Sequence, residues 1–282
     1  MSCFVRGMVL FAVILFGCGD AVTMPVEATV TTIASGMMAP YGILVDNGSY
    51  LVTGGGNLYS IKGSEASIVK TLTAPSGSGL LRHKGSLFVL DNPPGKLLSI
   101  DSSWKSTEVA TGLGNPVDLD IDGDALIVDD YDNRQGSPGG PSGNNGRILR
   151  VYQDGRVDVV ASIGLGGVGA VSVQPDGYYV TDYDGGRLLR VSKDKGTVTV
   201  VATGLGNPVG IKWYGSAFYI ADFAGASSAG RILQVGKDGS VKVLNASGLG
   251  SAAGLAIEGK DILITDLIGG RLLRVSGGLE NP

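Results

Sequence analysis

The six residues Gly-Arg-Leu-Leu-Arg-Val stand at 186–191 and again at 270–275. Four related copies begin at Gly56, Gly95, Gly146 and Gly230, so successive starts are 39, 51, 40, 44 and 40 residues apart. A period of this length restricts the chain to folds that repeat one supersecondary unit as a solenoid or a ring. Two other elements keep step with it. Val109-Ala-Thr-Gly-Leu-Gly-Asn-Pro-Val117 recurs unchanged at 201–209, with looser versions at 33–37 and 246–249. Between these lie apolar runs that end in an acid, Leu87–Asp91, Leu126–Asp129, Tyr179–Asp182, Tyr219–Asp222 and Ile262–Asp266, while the first copy ends in Gly54.

Each period holds four short apolar runs, as at 208–212, 217–222, 230–235 and 240–244, with Gly, Pro or Asp-Gly turns between them. Four strands in about 40–45 residues is the pattern of a propeller blade. Glycine supplies 47 of 282 residues without a collagen period, and 43% of the chain is hydrophobic, which suits short strands joined by tight turns. The chain therefore reads as all-β, a single six-bladed β-propeller over 26–282 with four antiparallel strands per blade. The last blade runs out after its third strand. Residues 29–37 align with 197–205, so the segment near 26–34 is expected to close that blade and cover its open edge.

The first residues have a different character. Arg6 precedes an apolar run, Met8–Phe16, that is too short to span a bilayer. Leu15-Phe16-Gly17-Cys18 resembles a bacterial lipobox. Residues 1–17 thus read as a lipoprotein signal peptide, Cys18 as the lipidated residue, 18–25 as a tether, and the cell envelope as the location. Cys3 is the other cysteine and falls in the leader, which leaves the domain without thiol chemistry or a disulfide. A net charge of −4 with scattered Lys and Arg argues against nucleic acid as a partner. Membrane contact is expected through the lipid on Cys18 alone, and the domain as a monomer.

The Asp, Gly-Arg-Leu-Leu-Arg-Val and Gly-Leu-x-x-Pro elements together resemble NHL-repeat propellers, and more broadly the gluconolactonase-like and strictosidine-synthase-like six-bladed superfamily. The resemblance covers about 26–276. It implies the propeller fold and leaves activity open, since such propellers include metal-dependent lactonases, lyases, synthases and binding modules. In the metallo-hydrolases a central metal is held by Glu, Asn and Asp from the starts of the inner strands. The matching pairs here are Tyr41-Gly42, Gly77-Ser78, Val117-Asp118, Gly169-Ala170, Val209-Gly210 and Ala253-Gly254, and only Asp118 is acidic. Calcium wants six or more oxygens. No cofactor is therefore expected, with calcium the one open alternative and Asp118 and Asp130 its candidate ligands. The single histidine, His83, precedes a turn, and no nucleophile elbow is present.

Acids and arginines that repeat with the blades, Asp91, Asp182 and Asp266 with Arg147, Arg187, Arg231 and Arg271, read as structural rings of ion pairs. Departures from the repeat are more informative. Asp118, Asp120 and Asp122 alternate along one strand and so share a side. The segment 130–145 is an insertion that lengthens one period to 51 residues, on the face where loops gather. Ligand-contacting candidates on that face are Tyr41, Asp118, Asp130, Tyr131, Asp132, Tyr183 and Asp222. The leading reading is a binding or scaffold module for a small molecule, glycan or protein. The alternative is a gluconolactonase-like hydrolase with an acid-lined site around Asp118, Asp130, Asp182 and Asp222.

Overall fold

The computed structural model describes residues 28–72, 78–131, 146–223, 230–244 and 247–279. The leader, Cys18, the tether and Asp132 lie outside them. Among the described residues the regular elements are all strands, arranged as six four-stranded antiparallel sheets. Blades 1 to 6 begin with the inner strands Pro40–Asp46, Leu80–His83, Pro116–Asp122, Val168–Gln174, Pro208–Tyr214 and Ala252–Glu258.

Ring closure follows the expected route. Thr29–Ala34 lies beside Arg271–Ser276, with Thr29 opposite Ser276 and Val30 opposite Val275, and supplies the outer strand of blade 6. The crossing that follows seats Met37 in the slot that Leu205 fills elsewhere. Met37 N–H donates to the Gly270 carbonyl at 3.1 Å, as Leu205 N–H donates to Gly186 at 3.0 Å.

The apolar core is six seams rather than one centre. Leu90 and Leu97 of blade 2 pack with Leu119, Val128 and Leu149 of blade 3, and each other neighbouring pair has its own cluster. The closing seam joins Leu263 and Leu272 of blade 6 to Ile43, Tyr50 and Val52 of blade 1. Because each blade buries both faces against neighbours, its second strand can be buried at every position, as in Ala217–Asp222.

The repeated Gly-Leu-Gly now has a reason. Leu113, Leu165, Leu205 and Leu249 are fully buried where the chain crosses between blades. The glycine after Leu205, Gly206, takes φ +80°, and a Cβ there would lie 2.5 Å from Asp222 Oδ1. Only a residue without a side chain both adopts this backbone and leaves the carboxylate its place.

Candidate functional site

The acid that ends each second strand stands directly across from the first residue of the third strand. Asp130 faces Arg147, Asp182 faces Arg187, Asp222 faces Arg231 and Asp266 faces Arg271. Each carboxylate is buried and ion-paired, with Nε contacts of 2.7, 2.6, 2.7 and 2.8 Å in that order. Each also accepts a turn N–H, from Asn115, Gly185, Asn207 and Ser251 in turn. In blade 2 Lys96 faces Asp91 and reaches Glu108. Asp130 and Asp222, expected on the ligand surface, are therefore committed to holding turns and arginines. The alternative hydrolase site that would have drawn on Asp130, Asp182 and Asp222 loses those three for the same reason.

The register corrects one reading. Asp130, not Asp129, occupies the acid position of blade 3, since it pairs with Pro116 and Arg147 as Asp222 pairs with Pro208 and Arg231. Asp129 instead occupies the position of Thr53, Thr181 and Thr265. Those hydroxyls tie blades together. Thr265 accepts from Gly254 N–H in its own blade at 2.7 Å and donates to the Tyr41 carbonyl of the next at 2.8 Å. Thr53 spans Gly42 and Ser78 in the same way, and Thr181 donates to Val209 at 2.7 Å. Asp129 keeps half of this pattern. Its Oδ1 accepts from Asp118 N–H, while its buried Oδ2 has no hydrogen-bond partner among the described residues. Burial, reinforced by the charge of Asp118, raises its carboxyl well above the usual range.

The three alternating acids stitch blade 3 to blade 4. Asp118 accepts from Leu119 and Val171 N–H groups, and Asp120 accepts from Val173 N–H at 2.7 Å. Asp122, at the far mouth, accepts from Tyr178 at 2.6 Å and from Lys193 at 2.8 Å. Asp118 also shares a small channel cavity with Lys212, and burial raises its carboxyl against the opposing pull of that ammonium. His83 ends its inner strand at the far mouth, away from the loop face.

Above this cavity, at the near mouth, lies a cup of about 200 Å³. Its lower wall comes from inner-strand starts, among them Tyr41, Val117, Gly169, Val209 and Ala253. Its upper wall is built by the residues that follow the paired acids, Tyr131, Tyr183, Phe223 and Leu267. Each of these four is pinned by its N–H to a carbonyl of the preceding crossing, as Tyr183 is to Gly167 and Phe223 to Asn207. The Tyr183 and Phe223 rings sit 6.4 Å apart at their centroids. On the rim, Tyr131 Oη donates to Asp184 Oδ2 at 3.0 Å. Burial and that carboxylate push the Tyr131 hydroxyl up to about 12. Tyr41 Oη reaches across the channel to the Gly169 carbonyl at 3.1 Å. Tyr41 and Gly169 border both spaces, so this bond separates the cup from the Asp118 cavity.

Of the expected contact residues, the structure thus brings Tyr41, Tyr131 and Tyr183 together in the cup and puts Asp118 beneath it. Phe223 and Leu267 complete the wall without having been expected there; each directly follows the acid that recurs with the blades.

Among solved structures the chain is similar to a gluconolactonase from Xanthomonas campestris (TM-score 0.70, 16% identity), covering 88% of this chain and 89% of that one. It is similar to a calcium-binding protein, regucalcin, from Agrobacterium tumefaciens (TM-score 0.64, 15% identity, 91% and 99% covered). It also resembles a catalytically inactive virginiamycin B lyase from Staphylococcus aureus, solved with quinupristin (TM-score 0.63, 14% identity, 89% and 99% covered). The fold is that of the gluconolactonase-like six-bladed propellers. No family model matches the sequence, and no curated protein matches it.

Regucalcin's calcium invites a test of fit in this six-bladed ring. The described residues contain no group of three or more His, Cys, Asp or Glu placed to hold a metal. Of the two candidate ligands, Asp118 is met by two N–H groups and shares its cavity with Lys212, and Asp130 is bound by Arg147. A hard cation needing six or more oxygens does not fit this donor set, and no step is derived through one.

Proposed function

We propose that the protein is a small-molecule-binding propeller, with the aromatic cup at the near mouth as its site. The observation that carries this is convergence. Tyr131, Tyr183 and Phe223 come from three successive blades, and with Tyr41 from a fourth they line one cavity. At about 200 Å³ the cup is smaller than the roughly 300–1,000 Å³ of drug-sized pockets, so a compact ligand suits it. The paired acids and arginines beneath the rim hold these side chains in place without competing for the ligand. In the same proposal, lipid on Cys18 would display the cup at the cell envelope; loss of membrane association in Cys18→Ser tests that part separately.

A lactonase reading draws on the likeness to gluconolactonase and on the Asp118–Asp129 pair. Against it, Asp118 lies in the cavity on the far side of the Tyr41–Gly169 bond from the cup. A thermal-shift screen with small cyclic and aromatic compounds, repeated on Tyr183→Ala and Phe223→Ala, tests the binding reading. Ligands whose stabilisation vanishes in both variants support it. Stabilisation indifferent to both would sink it, and calcium-dependent turnover of aldonolactones would replace it with the lactonase.

A further inference from the structure

We propose that the ligand of this cup is an organic ammonium ion with a methylated nitrogen. The inference rests on the binding reading above and goes on to name the chemical class. Three features of the cup carry it: aromatic rings, a carboxylate at the rim without a cationic partner among the described residues, and a scarcity of hydrogen-bonding groups in the wall.

The rings of Tyr131, Tyr183 and Phe223 form one side, with Tyr41 across from them. Aromatic faces carry partial negative charge and attract a cation placed over them. The fixed charges have the matching sign. Asp130, Asp182, Asp222 and Asp266 each have an arginine. Asp184, on the rim, is different: it accepts from Tyr131 Oη at 3.0 and 3.3 Å, and no Lys or Arg pairs with it among the described residues. Asp118 lies below Tyr41 in a cavity that it shares with Lys212.

The tyrosines register this field. Burial first, then Asp184, raises the hydroxyls of Tyr131 and Tyr183; burial first, then Asp129 and Asp118, raises Tyr41. The rings therefore stay neutral at physiological pH, and Asp184 sets a carboxylate beside Tyr131 and Tyr183. The remaining wall, Val117, Val209 and Leu267, is apolar. A primary ammonium brings three N–H donors that such a wall cannot satisfy. A quaternary nitrogen brings none, and its methyl groups suit the aliphatic side chains while the charge faces the rings. A sugar would leave several hydroxyls unmatched against the same wall.

Calorimetric titration of the purified protein with tetramethylammonium and choline tests the inference. The control is 3,3-dimethylbutan-1-ol, which replaces the choline nitrogen by carbon. The expected result is saturable binding of both cations, with the neutral isostere weaker by about fivefold or more. Binding should weaken as salt is added, because Asp184 is exposed. Phe223→Ala and Asp184→Asn should each reduce affinity for choline by about threefold or more; Asp184→Asn is a surface change that keeps the fold intact. Equal binding of the isostere overturns the cation inference and leaves the cup reading standing. Cation binding that neither variant alters overturns it too, by placing the site elsewhere. No saturation by either cation also overturns it, while the screen with Tyr183→Ala and Phe223→Ala judges the cup independently.

Discussion

The Tyr41 hydroxyl donates to the Gly169 carbonyl at 3.1 Å, linking blade 1 to blade 4 across the channel. The carbonyls at this position in blades 1, 2 and 5, those of Tyr41, Ser78 and Val209, each receive a threonine hydroxyl from the preceding blade. Blade 3 has Asp129 in the threonine slot, so Gly169 receives its hydrogen bond from across the ring instead. Two departures from the repeat thus answer one another. Together they close the floor of the cup.

Tyr41→Phe tests that floor. The ring remains, but the Gly169 carbonyl loses its donor. Leaving a shielded carbonyl unsatisfied costs about 1–3 kcal/mol, so the urea midpoint of Tyr41→Phe should fall accordingly. Ligand affinity should change little, because the apolar wall is intact. An unchanged midpoint would mean that water replaces the hydroxyl freely and that the floor is open.

Asp129 gives a pH signature. Its carboxyl is raised by burial and by Asp118, so between the unfolded value near 3.9 and the higher folded value the native state holds the extra proton. Its contribution is fully present below the unfolded value and is lost as pH rises through the folded one. Asp129→Thr restores the hydroxyl bridge of the other blades and removes this slope. The variant should therefore gain stability over wild type as pH increases from 5 to 8, read as the difference of two denaturation curves at each pH. The difference matters because Asp46, Asp122 and Asp266, held low by arginine, lysine or backbone partners despite partial burial, tilt both proteins the opposite way in acid. Parallel pH profiles would remove the argument for a native-state proton at Asp129.

Much of this was legible in the sequence because a propeller writes its packing into a short period. The closing strand, the crossing leucines and the arginines at 147, 187, 231 and 271 all repeat, and repetition identifies equivalent slots. Tyr41, Tyr131 and Tyr183 could be assigned to one face from their place in the period. The partnership of Tyr41 with Gly169 could not, since it joins residues 128 apart whose meeting depends on the ring diameter. The alternating acids 118, 120 and 122 were visible as sharing one side. Which neighbour that side met, an inner strand of blade 4, needed the radial geometry. The register of Asp129 against Asp130 was hidden because two adjacent acids both satisfy a pattern that ends in Asp.

The ring of buried acids predicts unequal outcomes for two arginine and lysine deletions. Asp182 is fully buried and its charge partner is Arg187 at 2.6 Å. Arg187→Ala leaves that carboxylate buried with its turn N–H alone, which in comparable cases costs about 3–5 kcal/mol. Lys84 pairs with Asp124 on the open surface, where solvent screening leaves such a pair little to contribute. Thermal unfolding of Arg187→Ala and Lys84→Ala, side by side, should show a large loss for the first and almost none for the second. Similar losses would mean that water reaches Asp182 once Arg187 is removed.

Gly204 and Gly206 separate backbone strain from lack of space. Both have left-handed φ, +74° and +80°, so alanine at either is strained by about 1–2 kcal/mol. Around Gly204 nothing lies within 4 Å of an added Cβ, whereas at Gly206 the methyl would press on both carboxylate oxygens of Asp222, at 2.5 and 2.7 Å. Gly206→Ala must therefore also displace the Asp222 carboxylate from Asn207 N–H and Arg231. Because Phe223 follows Asp222 directly, this displacement should reach the cup. Gly204→Ala is expected to lower stability modestly and leave ligand affinity as it was. Gly206→Ala is expected to lower stability further and weaken the cup ligand as well. Equal stability losses, with affinity untouched in both, would show that the acid ring does not position the aromatic wall.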